Sequence, residues 1–247
     1  MKIFLCVLFL IPVFLFGQKV KKVTTRYKNP DFKEVYYVSE KDNSIKEGNF
    51  QKLGYNDMVL INGYFKNGLK DSIWNYYWFS DHLKMSGIYK MDKREGLWEF
   101  YDRRGVLVQK FDYSKLKLEY AYEDTIQPKR PMKIITGKDT LKVIPDRPPV
   151  YIGSSVAIFD FISQNFKWDP NSAQDIKGAV VVGFVVDKNG KTRDHHIIRG
   201  LGSCCDEISL DMIKKLPDEW VPGVYKGDFV DMEVTQGFGF ESANMRQ

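Results

Sequence analysis

The chain has 247 residues, of which 43% are hydrophobic and 15% aromatic, and this composition excludes an intrinsically disordered protein. The formal net charge of +5 is scattered over 37 basic and 32 acidic residues without a basic face or a known motif, so we expect no nucleic acid partner. The length exceeds that of one typical domain and predicts two modules.

The N-terminus has the pattern of a secretory signal. Met1 and Lys2 give a charged start, residues 3–16 are apolar, and Gly17 stands at the expected cleavage point. The apolar run is shorter than the about 20 residues that a membrane-spanning helix needs. We therefore expect residues 1–17 to be removed from a protein of the periplasm or cell envelope. The alternative is a leader that is not cleaved and anchors the protein in the membrane. If the leader is cleaved, the protein associates with a membrane only through its partners.

A sequence period of 24 residues relates GYFKNGLKDSIWNYY, residues 63–77, to GIYKMDKREGLWEFY, residues 87–101. The copies share a glycine, a tryptophan and a tyrosine at matching positions: Gly63 and Gly87, Trp74 and Trp98, Tyr77 and Tyr101. A weaker third copy follows through Phe111 and Tyr113, and EGNF at residues 47–50 resembles a shortened earlier copy. A fixed period in this range indicates a repeat array.

Each copy predicts a β-hairpin. Two aromatic segments flank a polar turn, at Lys66 to Leu69 in one copy and Met91 to Arg94 in the next. A single hairpin is marginally stable in water, so we expect several to stack and to bury the recurring Trp and Tyr rings between them. The alternative use of these rings is a carbohydrate or ligand surface.

These copies resemble the MORN-type repeat in its exported bacterial variant over about residues 35–115. Ser72 stands where the family pattern has a glycine before Trp74, whereas Gly96 keeps that glycine in the second copy. The resemblance implies a twisted antiparallel β array that makes contacts and brings no catalytic residues. We assign residues 18–122 to this all-β array of hairpins.

Residues 123–150 predict a linker, and we place the domain boundary here. Prolines interrupt any continuous helix or central strand at five positions: Pro128, Pro131, Pro145, Pro148 and Pro149. We expect an extended connection with one short strand at Lys133 to Ile135.

The C-terminal module, residues 151–247, predicts an α+β domain in the order helix, β-hairpin, helix, strand. The first helix runs from Ser155 to Phe166, with an apolar face made by Val156, Ile158, Phe159, Ile162 and Phe166. The hairpin joins Lys177–Val186 to Thr192–Arg199 through an Asn-Gly turn, and the last strand runs from Phe229 to Phe240. A small antiparallel sheet with both helices on one face fits this order.

The second helix begins near SCCDE, residues 203–207, with Ser203 or Asp206 as possible N-cap. Cys205 is in phase with the apolar residues of this helix and is expected in the core: Ile208, Met212 and Leu216. Adjacent Cα atoms lie about 3.80 Å apart, which is below the roughly 4.4 Å that a disulfide prefers. A Cys204–Cys205 bridge would therefore be strained, and Cys204 is left as a candidate for an intermolecular disulfide.

Residues 151–240 resemble the C-terminal domain of TonB, the energy transducer of Gram-negative envelopes. The residues that carry the resemblance follow the family's order: Gly178, Val180, Val182, Phe184, Val185, Val186, Gly190, Arg199, Gly200, Asp206, Glu207, Pro217, Trp220, Pro222 and Gly223. The chain departs from the family at Ile152, at residues 218–219 and at residues 236–237. Family members add the periplasmic segment of an outer-membrane receptor as an extra strand, which implies a partner-binding edge at Asp231, Met232, Glu233, Val234, Thr235 and Gln236.

The polar residues of the chain do not form a recognisable reaction or metal site, so we expect no enzyme, no cofactor and no metal. His195 and His196 are adjacent on a strand and point to opposite faces, and His82 lies in the other module. Asp206 and Glu207 suit a helix N-terminus, where they offer negative charge to unpaired backbone N–H groups.

The sequence therefore favours an exported TonB-like adaptor that binds envelope proteins, including outer-membrane receptors, and is linked to TonB-dependent transport without driving it. The alternative is a structural or scaffold protein of the envelope that acts through its MORN-like repeats. The sequence predicts no particular oligomeric state.

Overall fold

A computed structural model describes most of the chain, and its ranges are residues 19–28, 30–79, 81–122, 130–137, 139–166 and 176–241. The predicted signal, residues 1–17, lies outside these ranges. Within them, no helix has both the length and the apolar character that crossing a membrane requires. The fold is mostly antiparallel β structure with two α-helices.

The N-terminal module is one nine-stranded antiparallel sheet in which each strand pairs with the next along the chain. Its strands are β1 Val20–Lys28, β2 Asp31–Ser39, β3 Lys46–Leu53, β4 Val59–Lys66, β5 Leu69–Tyr77, β6 Leu83–Lys90, β7 Lys93–Tyr101, β8 Leu107–Asp112 and β9 Lys117–Ala121. A 3-10 turn at Tyr55–Asp57 lies between β3 and β4. Strands β6 and β7 begin and end 24 residues after β4 and β5, so the sequence period is the period of one hairpin.

Both predicted hairpin turns are confirmed by their backbone. Asn67 and Gly68 have φ angles of 51° and 81°, and Met91 and Asp92 have φ angles of 50° and 65°. Two consecutive positive φ angles are typical of the type I′ turn, whose twist matches that of the flanking strands.

Besides the two turn positions, a further residue with a positive φ angle recurs in each copy, two residues before the large aromatic residue. Gly48, Ser72 and Gly96 have φ angles of 96°, 62° and 61°. Ser72 therefore keeps the geometry of the glycine that it replaces. A residue with a Cβ pays roughly 1–2 kcal/mol for this conformation.

The repeated glycine and tryptophan form one packing unit. A Cβ on Gly63 or on Gly87 would lie 2.2 Å from Cδ2 of Trp74 or of Trp98, so the two indoles lie directly against the glycine backbone. Each indole N–H donates to the carbonyl of the residue after that glycine, at 3.1 Å in both copies. The tryptophan side chains are 1% and 0% exposed. Their predicted role in the core is confirmed.

The C-terminal module contains a second antiparallel sheet with the strand order β11-β10-β17-β13-β14, and β16 also pairs with β17. Its strands are β10 Met132–Thr136, β11 Asp139–Val143, β13 Lys177–Val186, β14 Thr192–Arg199, β16 Gly223–Tyr225 and β17 Asp228–Glu241. A separate two-stranded pair joins β12 Val150–Tyr151 to β15 Trp220–Val221. The predicted bounds of β13 and β14 are confirmed, and β17 is one residue longer at each end than predicted.

The predicted linker contributes strands to this second sheet. The expected short strand at 133–135 lies within β10, whose Ile134 and Ile135 pair with Met232 and Asp231 of β17. Strand β11 returns beside β10, with Gly137 in the left-handed conformation next to the turn. Ile134 is 1% exposed, so this hairpin buries an apolar side chain where it pairs with β17.

Helices α1 Ser154–Asn165 and α2 Ser203–Lys215 cover the same face of the second sheet. Alternate strand residues supply that face and pack with both helices: Val180, Val182, Phe184, Val186, Phe238 and Phe240. The predicted apolar face of α1 is wrong at Phe159, which is 56% exposed. The helix turns Ala157, Ile158 and Phe161 toward the sheet instead, while Arg103 lies 5.2 Å above the Phe159 ring.

The two modules are in contact through a shared core and through polar bonds. Apolar residues of the second module pack into the aromatic core of the first: Val150, Ile152 and Val221. Arg94 pairs with Glu219 at 3.3 Å, and Lys84 forms an ion pair with Asp160. The repeat array thus holds the segment that leads into α1 and the segment that follows α2.

Candidate partner-binding edge

Strand β17 provides the candidate site because only one of its edges is paired along most of its length. Strand β13 pairs with every residue from Met232 to Glu241. On the opposite edge, β10 pairs with Asp231 and Met232. Among the described strands, none pairs with that edge from Glu233 to Gly239. A row of unpaired backbone N–H and C=O groups is a template for an added strand.

The six residues of the predicted edge lie together on β17 but in different environments. Asp231 and Met232 already have a strand partner, and the Met232 side chain is 0% exposed. Val234 packs against the core beneath the sheet. Thr235 is exposed, and Gln236 donates from its side chain to the carbonyl of Gly237 at 3.0 Å.

The two acidic residues of this edge bind to neighbouring strands. Asp231 lies 2.7 Å from Arg193 and accepts the backbone N–H of Lys188 at 2.9 Å. Glu233 lies 2.7 Å from Lys133 of β10 and 3.4 Å from Nε2 of His196 on β14. These carboxylates join three strands on the face of the sheet opposite the helices.

A groove of about 340 Å³ lies beside Glu233–Gln236. Apolar side chains supply part of its lining: Met132, Val150, Tyr151, Ile158, Trp220 and Val234. Basic side chains also line it, and these are Arg130, Lys133 and Lys142. An apolar groove with a few charged groups next to an open strand edge can accept the alternate side chains of an added strand.

The repeat array supports one wall of this groove through a single buried side chain. Gln109 of β8 is 0% exposed; its Nε2 donates to the carbonyl of Tyr151 at 3.0 Å, and its Oε1 accepts the N–H of Gly153. The Tyr151 ring contacts that of Trp220 edge to face, with centroids 5.1 Å apart. The groove wall is therefore fixed to the first module.

The two adjacent histidines point to opposite faces, as predicted. His195 stacks on Phe184, with ring centroids 5.7 Å apart, whereas His196 faces Glu233. Burial, aided by the positive charge of Lys214, lowers the pKa of His195 below its usual 6.5. In the described part of the chain, no group of three His, Cys, Asp or Glu residues could hold a metal ion.

The start of α2 differs from its prediction. The N-cap position is Gly202, with a φ of 125°, and not Ser203 or Asp206. Asp206 lies within the first turn, where its Oδ1 accepts the N–H of Leu201 at 2.9 Å. Gly200 is required beside it, because a Cβ there would lie 2.3 Å from Oδ2 of the same carboxylate.

The two cysteines have different environments, and both are free thiols. Cys205 is 0% exposed, which confirms its predicted place in the core. Burial, with a smaller effect of the Cys204 thiol 3.6 Å away, raises the pKa of Cys205 to about 11. Cys204 is exposed at the start of α2.

One set of repeated residues was missed by the sequence reasoning. Lys46, Lys70 and Arg94 occur at the period of 24, and each lies over an aromatic ring four residues later. The sequence does contain a five-residue pattern that could have revealed this set. Its positions are a basic residue, an acidic residue, Gly or Ser, any residue and a large aromatic residue, as in KEGNF, KDSIW and REGLW.

Comparison with known proteins finds a similarity within the C-terminal module. Residues 170–241 match the family model described as Gram-negative bacterial TonB protein C-terminal. No curated protein matches the chain, and no solved structure matches it. The matched range includes the β13–β14 hairpin, α2 and β17 but not the repeat array. The C-terminal segment of this chain is thus similar to the C-terminal domain of TonB.

Proposed function

We propose that this chain is an exported TonB-like envelope protein that binds a partner protein by strand addition at the free edge of β17. The observation that carries the proposal is the edge from Glu233 to Gly239, which no described strand pairs, beside an apolar groove. The family match supports it, because TonB C-terminal domains are non-enzymatic domains for binding and energy transduction.

The pairing of β10 with Asp231 and Met232 supports a start of the added strand at Glu233. The partner would then pair from Glu233 through Gln236 and on to Gly239. This edge accepts an extended segment of roughly seven residues. The basic lining of the groove, with Lys133 nearest to Glu233, favours a segment with acidic side chains.

The partner that fits this proposal is the periplasmic segment of an outer-membrane receptor, in a process linked to TonB-dependent transport. The predicted signal at residues 1–17 supports export to the periplasm or cell envelope. The MORN-type repeats of about residues 35–115 then act as a rigid support for the binding module, because the Gln109 contact joins them to the groove.

The experiment is a titration of the chain without residues 1–17 with synthetic receptor segments, followed by NMR amide shifts. We expect saturable shifts along Glu233 to Gly239. Segments N-methylated at alternate residues provide the matched control, because only every second N–H of an added strand faces β17. One N-methylated register should lose binding and the other should keep it. Equal binding by both registers, or shifts confined to β14, would refute strand addition on β17.

A structural role through the repeats is the second candidate. The face of the first sheet that points away from the tryptophan core exposes apolar side chains on successive strands: Tyr64, Ile73, Ile88 and Leu97. An envelope protein that binds there would shift amides of β4 to β7 and leave β17 unchanged. That outcome of the same titration would favour the scaffold.

A further inference from the structure

The aromatic core of the repeat array is a continuous row of rings in mainly edge-to-face contact. The row consists of Phe50, Phe65, Trp74, Tyr89, Trp98 and Tyr113, and its successive centroids are 5.4, 5.1, 5.9, 5.0 and 6.0 Å apart. Successive rings of the row are 15 and 9 residues apart in turn, and the two steps together make the period of 24. The hairpins β4–β5 and β6–β7 each contribute one ring from their first strand and one from their second.

A basic side chain lies over each pair of rings. Lys46 is 5.1 Å from the centroids of Phe50 and Phe65. Lys70 is 4.6 Å from that of Trp74 and 4.8 Å from that of Tyr89. At the third site, the Arg94 guanidinium is 5.0 Å from the centroid of Trp98 and 5.2 Å from that of Tyr113. These distances are within the range of cation–π attraction, and the three sites are equivalent by position.

The third site is filled by a carboxylate from the other module. Glu219 accepts from Arg94 at 3.3 Å, on the short segment between Pro217 and β15. The Tyr113 hydroxyl also accepts from this guanidinium. The chain itself therefore shows which ligand a cation in this aromatic setting takes: the acidic side chain of a short connecting segment.

The second site has a Trp–Tyr ring pair like the third and a lysine in place of the arginine, but no carboxylate. Lys46 in the first site has Glu34 at 3.9 Å, whereas among the described residues no acidic side chain lies within ion-pair distance of the Lys70 ammonium group. Its ammonium group donates to the Tyr76 hydroxyl at 3.2 Å. That hydroxyl lies 3.5 Å from the hydroxyl of Tyr89. A partly buried cation beside two hydroxyl groups can bind an anion, because hydrogen bonds to an ionised group are stronger than those between neutral groups.

We propose that Lys70, over Trp74 and Tyr89, binds a carboxylate on an acidic extended segment of a partner protein, in the way that Arg94 binds Glu219. The site lies on the first module and is independent of strand addition at β17. The segment after α2 is the template for this partner, because its Glu219 side chain binds the cation that lies over the equivalent pair of rings.

The test uses the full chain without residues 1–17 and a hexapeptide copied from residues 216–221, LPDEWV, as the probe. The readout is the NMR signal of the Trp74 indole N–H. We expect a saturable shift of this signal, and roughly fivefold weaker binding by the matched peptide LPDQWV, since an ion pair at a partly exposed site has about that effect. Lys70→Met should weaken binding of LPDEWV by a similar factor and remove its advantage over LPDQWV, whereas Lys70→Arg should keep or strengthen binding.

Lys46→Met is the control variant. Lys46 already pairs with Glu34, so its replacement should leave the Trp74 response to the peptide intact. Unchanged Trp98 indole signals would show that each variant is folded. A shift of Trp98 in place of Trp74 would mean exchange with the chain's own segment and would overturn the proposal. An equal Trp74 shift with inorganic phosphate would also overturn the proposal. A Trp74 shift that appears when the free protein is concentrated would overturn it too, because the occupant would then be a second copy of this chain.

Discussion

Replacing Gly87 by alanine tests the packing unit of the repeat. The new Cβ would lie 2.2 Å from Cδ2 of Trp98, so the indole has to move. That movement forces overpacking, which costs about 1–3 kcal/mol. It also breaks the 3.1 Å hydrogen bond from the indole N–H to Ile88, and a buried donor left unpaired costs about 1–3 kcal/mol. We expect Gly87→Ala to lower the free energy of unfolding by roughly 2–6 kcal/mol.

The assay is urea denaturation followed by tryptophan fluorescence and circular dichroism. Gly239→Ala is the matched control, because no heavy atom lies within 4 Å of its added Cβ and its φ is not left-handed. We expect the control to change stability by less than about 0.5 kcal/mol. Equal stability of Gly87→Ala and Gly239→Ala would refute the inference that the packing of Trp98 requires a glycine at position 87. Gly63→Ala should reproduce the loss, since its contact with Trp74 has the same distance.

Further outcomes are expected elsewhere in the chain. Ser72→Gly should raise the thermal midpoint, with a gain of about 1 kcal/mol, because it relieves a left-handed residue. His195→Phe should reduce the loss of stability on acidification below pH 6.5, measured by denaturation at several pH values, since the folded pKa lies below the unfolded one. Gln109→Ala should lower unfolding free energy by about 1–3 kcal/mol, because it orphans buried backbone groups. At pH 8, a thiol reagent should modify Cys204 and leave Cys205 unmodified until the chain unfolds.

Each of these outcomes can fail in a specific way. A Ser72→Gly variant that is less stable would mean that the serine side chain contributes more than its backbone conformation costs. The sign for His195 follows from linkage: the unfolded chain binds a proton at higher pH than the folded one, so folding stability falls as pH decreases through that window. An unchanged acid response in the phenylalanine variant would contradict it. Fast modification of both thiols in the native state would contradict the burial of Cys205.

Local periodicity was sufficient to predict the hairpin turns and the bounds of β13 and β14. These features depend on residues close together in the chain, such as the Asn-Gly turn signal and the run of β-branched side chains. The burial of Trp74 and Trp98 was also predictable, because a ring that recurs with the hairpin period must face the same side each time.

Long-range pairing was not predictable from such patterns. Nothing local in residues 132–143 indicates that β10 pairs with β17, which lies about a hundred residues later. Phe159 has helical spacing with Ile162, yet it lies outside the sheet contact and meets Arg103 of the other module. Gln109 likewise has no local signal, since its partners are backbone groups more than forty residues away.

The junction between the modules has a consequence for the length of the array. The contacts that hold the second module come from β6 to β8, through Lys84, Arg94 and Gln109. Strands on the N-terminal side of β6 pair in chain order, so insertion or loss of one 24-residue unit there should leave these three contacts in place. The array can thus vary in length without altering its attachment, and arginine in place of lysine marks the cation site at which the second module is attached.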